Sequence, residues 1–169
     1  VLPAISLPGT GGRDVWLAKR PGRSVVVVYP WTGRPGLPNP PNWDDIPGAH
    51  GSTPELEGFR DVADDFAACH TSLFGLSGQT TGYQRELVAR LGLNFQLLSD
   101  AEGRFAGALA LPSFTTGDDS YLKRLTLVVA DGNIEKLFYP VADPASHADE
   151  VLAYLGQSPS ASPSASSTE

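Results

Sequence analysis

The chain has 169 residues, enough for one domain, which at this size buries about two-thirds of its unfolded surface without staples, and its 41% apolar content, with three Trp, seven Phe and five Tyr, excludes a wholly disordered chain. Twelve basic against nineteen acidic residues give a net charge of −7 with no Lys/Arg cluster, which argues against a nucleic-acid or anionic-membrane surface. A single cysteine, Cys69, excludes an internal disulfide framework and a Cys-rich zinc site. The longest strongly apolar run, Val25 to Val28, is far short of the ~20 residues of a membrane span, and no basic region followed by an apolar stretch marks an export signal, so the expected setting is cytoplasmic.

In chain order, Leu2 to Leu17 reads as two short strands: Ile5 and Leu7 alternate, Pro8 to Gly12 turns the chain, and Val15 and Leu17 alternate again. Val25 to Tyr29 is a continuous β-rich run closed by Pro30, the pattern of a central strand covered on both faces. Trp31 to Gly51 carries too many Pro and Gly residues for regular structure, and a loop that long inside a domain is more often functional than ornamental. A helix is predicted next, with Ser52 or Thr53 as N-cap, Pro54 in the first turn and Ser52-x-x-Glu55 as a capping box; Leu56, Phe59, Val62/Ala63 and Phe66 form its apolar stripe.

Thr71 to Leu76 is a strand, and Tyr83, Leu87, Val88 and Leu91 share the stripe of a second helix. Phe95 to Leu98 is a short strand, Ala101 to Leu111 a helical segment, and Leu125 to Ala130 turns through Asp131-Gly132-Asn133 into Ile134 to Tyr139 as a hairpin. His147 to Leu155 closes the fold as a helix with Val151, Leu152 and Leu155 inward. Residues 157–169, almost pure Ser, Pro and Ala, are expected to be a disordered tail, leaving a folded domain over residues 1–156. Strands alternating with helices, then a hairpin and helix, predict an α/β domain: a central mixed sheet with helices on both faces, as in a thioredoxin-like fold.

Several segments point further. Val25 to Pro30, then Gly48-Ala-His-Gly-Ser-Thr-Pro-Glu-Leu-Glu-Gly-Phe-Arg-Asp61, Phe74 to Ser77, Leu91 to Asp100, and Lys123 to Val129 with the Asp131-Gly132 turn resemble a peroxiredoxin, closest to the Q-type or redoxin-like branch, over about residues 2–156. The resemblance implies an antioxidant oxidoreductase on a thioredoxin fold. In that family a peroxidatic cysteine opens the helix after the central strand, and the helix N-terminus and an arginine hold it as a thiolate. Residue by residue, the peroxidatic position falls on Ser52, the resolving position five residues later on Glu57, and the arginine before the β-run on Arg124; the threonine three residues before the cysteine falls on Ala49.

Serine changes the chemistry. Peroxide reduction passes through a sulfenic acid, and a hydroxyl has no comparable oxidation step. A helix terminus contributes on the order of 1–2 kcal/mol, roughly one pKa unit, far too little to make an alkoxide at neutral pH. Peroxide reduction through residue 52 is therefore not expected. The chain is either a peroxidase captured in a Cys→Ser form or a paralogue that lost the thiol; an external thiol reductant is implied only if residue 52 is natively Cys.

Two other readings compete. One is a repurposed non-redox enzyme, with Trp31 to Gly51 as a lid and Ser52, Glu57, His50 and Arg124 handling a small organic substrate, Glu57 as base and His50 as partner acid. The other is a non-catalytic binding domain. The first two imply a small-molecule substrate or a small oxygen-containing ligand, whereas the third acts through a surface or the Ser/Pro tail; no cofactor, metal, nucleic acid or membrane is expected. Arg124 has a bland alternative as a surface ion pair with Asp118 or Asp119. Cys69 reads as an inert small hydrophobe. His50, Ser52 and Asp44 or Asp45 lack the Gly-x-Ser-x-Gly elbow of a hydrolase, and His50, His70 and His147 lack metal-ligand spacing and read as surface histidines.

Overall fold

The computed structural model describes residues 1–157. A two-stranded ribbon comes first, β1 (Leu7–Pro8) with β2 (Asp14–Val15), shorter than the alternation predicts. β3 (Arg23–Val28) follows and is buried at every position. The 31–51 loop contains one 3-10 turn, Trp43–Asp45. The predicted helix then forms as two pieces, α1 (Ser52–Asp61) and α2 (Ala63–Ala68), broken at Val62, whose φ of −119° is not helical. Leu56, Phe59 and Phe66 stay buried across the break, so the stripe survives the kink.

β4 (Thr71–Ser77), α3 (Thr81–Leu91), β5 (Gln96–Ser99) and a short α4 (Arg104–Leu109) come next. A hairpin that the sequence pattern does not predict, β6 (Ser113–Thr116) and β7 (Asp119–Leu122), precedes β8 (Leu125–Ala130) and β9 (Asn133–Phe138). The last element, α5 (His147–Gln157), runs one residue past the predicted domain end; the rest of the predicted disordered tail lies outside the described residues.

The main sheet has the order β5-β4-β3-β8-β9. β3 pairs parallel with β4 and antiparallel with β8, and β4 pairs parallel with β5, which is the mixed sheet expected. Alternation along β3 divides the core. Val25 and Val27 pack with Phe59, Phe66, Val151 and Leu155 of α1, α2 and α5. Val26 and Val28 pack on the other face with Leu7, Val15 and Phe105, from the N-terminal ribbon and α4. Full burial of each large apolar side chain contributes on the order of 1.5–3 kcal/mol, so a four-valine strand apolar on both faces can only sit here. No helix among the described residues is long and apolar enough to cross a membrane.

Candidate functional site

Gly51 sets the geometry at the end of the long loop. Its φ of 111° lies in the left-handed region, and a Cβ there would stand 3.0 Å from Pro144 Cγ, so glycine alone fits the turn into α1. Gly51 is therefore the N-cap, and Ser52 is the first helical residue rather than the predicted cap; no side chain caps this helix. The first intrahelical bond runs from the Glu55 amide to the Gly51 carbonyl at 3.1 Å. The Ser52 and Thr53 amides have no intrahelical acceptor and Pro54 has no N–H, so the positive end of the helix lies beside Ser52.

Arg124, immediately before β8, completes the site. Val28↔Leu125 pairing brings the start of β8 to the C-terminal end of β3, below the loop that leads to α1. The Arg124 side chain is buried. Nη1 donates to Ser52 Oγ at 3.1 Å and to Glu55 Oε1 at 2.7 Å. Nη2 donates to the carbonyls of Gly48, Ala49 and His50 at 3.1–3.3 Å. The bland expectation of a surface pair with Asp118 or Asp119 is thus replaced by a buried hydrogen-bond network between the loop, the helix and Arg124.

Glu55 is the residue sequence reasoning missed. Its side chain is 0% exposed, and Oε2 has no hydrogen-bond partner among the described residues. Burial raises its carboxyl pKa from 4.5 to about 7, against the downward pull of Arg124. The signal was present: a residue three positions on shares the face of Ser52, but the same Ser-x-x-Glu pattern also spells a capping box.

Glu57 and His50 are not brought to Ser52. Five positions on is about 140° around a helix, and Glu57 is turned outward, with Arg60 Nη1 3.9 Å away. The His50 imidazole is exposed, 3.2 Å from Asp44 Oδ1, at the rim of the site. Only the His50 carbonyl enters the network, so the base–acid pair expected of Glu57 and His50 is corrected: the structure does not assemble it. Ala49 is fully buried beneath the Arg124 bonds. Ser52 faces a cavity of about 320 Å³ walled by Trp31, Trp43, Arg34 and Arg90.

The loop over this cavity is anchored. Trp43 is buried, with ring centroids 5.3 Å from Trp31, 5.6 Å from Phe114 and 5.2 Å from Tyr121, the last two supplied by the β6–β7 hairpin. Thr116 Oγ1 also donates to the Pro41 carbonyl. At the other end of the loop the Gln79 amide and the Tyr83 hydroxyl donate to the Thr32 carbonyl.

His147 is not a surface histidine. It is buried between Phe59 and Phe138, with Nε2 2.8 Å from Thr126 Oγ1 and Nδ1 2.9 Å from Glu150, and desolvation lowers its pKa. His70 is exposed. Cys69 is half-buried at the end of α2, packed on the α1–α2–α5 core. No group of three His, Cys, Asp or Glu side chains among the described residues could hold a metal.

Comparison with known proteins agrees with this fold. The Redoxin family model matches residues 1–152. The chloroplastic peroxiredoxin Q of Suaeda salsa is 28% identical over 155 residues, which cover 90% of this chain and 64% of that protein; the chain thus spans somewhat under two-thirds of that relative's length. The crystal structure of peroxidoxin BcpB from Mycobacterium tuberculosis superposes with a TM-score of 0.72 at 26% identity, covering 90% of this chain and 91% of that one. A cysteine-to-serine mutant of Xanthomonas campestris peroxiredoxin Q has the same fold, with a TM-score of 0.73 at 23% identity over 92% and 94% of the two chains. The chain belongs to the Redoxin family, on its Q-type peroxiredoxin branch.

Proposed function

We propose that this chain retains the oxygen-binding half of a peroxiredoxin site and lacks the sulfur that makes it a peroxidase. The observation that carries this reading is the 3.1 Å bond from Arg124 Nη1 to Ser52 Oγ at the first turn of α1. A guanidinium bonded to one atom beside a helix N-terminus stabilises negative charge there. On a thiol the two hold a thiolate; on a serine hydroxyl they only orient a hydrogen-bonding group toward a small oxygen-containing ligand. As it stands, the chain binds such a ligand and does not reduce it.

With cysteine at position 52 the balance of the reaction is complete. The thiolate attacks one peroxide oxygen, the O–O bond breaks, and the alkoxide or hydroxide leaves and takes a proton; the sulfur becomes a sulfenic acid. An external thiol then forms a mixed disulfide with loss of water, and a second thiol releases the cysteine. Glu57 cannot resolve the sulfenic acid, so both thiols come from outside, in keeping with a cytoplasmic setting.

Hydrogen-peroxide consumption with dithiothreitol, measured for this chain and for Ser52→Cys side by side, tests the reading. Turnover in the variant alone supports it. An inert variant, or equal turnover by the unsubstituted chain, overturns it. The repurposed acid–base reading draws less support, because Glu57 is turned outward toward Arg60 and the His50 imidazole pairs with Asp44 at the rim.

A further inference from the structure

A second cavity, of about 550 Å³, opens on the other side of Trp31 from the Ser52 site. Its floor is the set of turns that leave the carboxyl ends of the three parallel strands β3, β4 and β5, at Pro30, Gly78 and Asp100. The crevice beyond the carboxyl ends of parallel strands is where open α/β sheets bind small ligands, and this volume lies in the 300–1,000 Å³ range of such sites. α4 forms one wall with Ala106 and Gly107, and the β6–β7 hairpin the opposite wall with Tyr121 and Leu122. A Cβ on Gly107 would meet nothing within 4 Å, so that side is open space rather than packed core.

The lining has a definite chemical sense. Trp31 and Tyr121 supply aromatic rings, and among the described residues no Lys, Arg or His borders the cavity. Three carboxylates do. Asp100 engages both its oxygens with the amides of Phe105 and Ala106, at 3.0 and 2.8 Å. Glu102 and Asp119 are exposed at the mouth. Aromatic rings with carboxylates and no opposing cation attract a positive charge on an apolar body and repel an anion. The Ser52 cavity differs, with a helix N-terminus and Arg34 and Arg90, which share Glu86, on its walls.

We propose that this cavity binds a small aromatic molecule carrying a protonated amine, its ring against Trp31 and Tyr121 and its ammonium group between Glu102 and Asp119. Because Trp31 lines both cavities, an occupant here is reported by its emission.

Phenethylamine and its anionic counterpart 3-phenylpropionate, titrated separately into the full chain and followed by calorimetry and by tryptophan emission, test this. Phenethylamine is expected to bind about tenfold more tightly than 3-phenylpropionate. Glu102→Gln with Asp119→Asn, both at exposed positions, is expected to bring the two ligands within about twofold. Gly107→Leu fills the open side with a better helix former and is expected to abolish phenethylamine binding while the fold is kept. Equal affinities in the unsubstituted chain, no phenethylamine binding at millimolar concentration, or binding undiminished by Gly107→Leu would each overturn the proposal.

Discussion

Two arginines are buried at opposite ends of the β3–β8 pair, each against a glutamate, and they do different work. Arg23 opens β3 and makes three bonds to Glu135 at 2.8–3.1 Å, while Tyr154 also donates to that carboxylate at 2.5 Å. Both Glu135 oxygens are engaged, and its side chain keeps some contact with solvent. Arg124 reaches only one oxygen of Glu55, shares the same nitrogen with Ser52, and turns its other nitrogen to loop carbonyls. The first pair is a clamp between β3, β9 and α5. The second leaves a desolvated oxygen and a hydroxyl beside a helix terminus, and such incompletely satisfied buried groups are what a binding site needs and a clamp does not.

The comparison breaks most directly at the arginines. Arg124→Met strands the Glu55 carboxyl and three carbonyls, and is expected to cost about 3–5 kcal/mol in urea unfolding, most of it recovered by adding Glu55→Leu. Arg23→Met is expected to destabilise as well, but in a Ser52→Cys background only the loss of Arg124 should suppress peroxide turnover. Equal turnover in the two would make Arg124 a second clamp.

Glu55 supplies the next effect. Its native pKa of about 7 lies above the 4.5 of the unfolded chain, so the native state holds the proton more tightly. The carboxyl's contribution is therefore fully present below pH 4.5 and lost as pH rises to 7. Relative to Glu55→Gln, the chain should lose about 1–3 kcal/mol over that window. A flat difference between the two unfolding profiles would contradict the assignment. The smallest effects belong to the outward pair: Glu57→Gln and His50→Ala should each change stability by under about 0.5 kcal/mol and leave the Ser52→Cys variant active.

The parts of the fold legible in the sequence were those with strong periodicity. The run Val25 to Val28 could only be a strand covered on both faces, and the stripe Leu56, Phe59, Phe66 predicted the buried side of α1 and α2 even though the chain breaks at Val62. The missed hairpin had its own signal, a Gly117-Asp118 turn between Thr116 and Asp119, but Thr115, Asp119 and Ser120 made the segment look polar. Its role became visible only in three dimensions, where Phe114 and Tyr121 hold Trp43.

At the site, the approach of Arg124 to Ser52 is long-range and entered through resemblance rather than spacing. Glu55 was legible in spacing but ambiguous in meaning. His147 sits four positions before Val151, on the buried face of α5, so the helical period itself argued against a surface position.

The most direct test of the account is the pKa of a thiol placed at position 52. In Ser52→Cys with Cys69→Ala, the only thiol in the chain is followed by thiolate absorbance across a pH titration. A midpoint at least one unit below the ordinary value of about 8.5 is expected, returning toward it when Arg124→Met is added. A midpoint at or above the ordinary value would show that Arg124 and the first turn of α1 do not stabilise negative charge at position 52, and the site would then be structural.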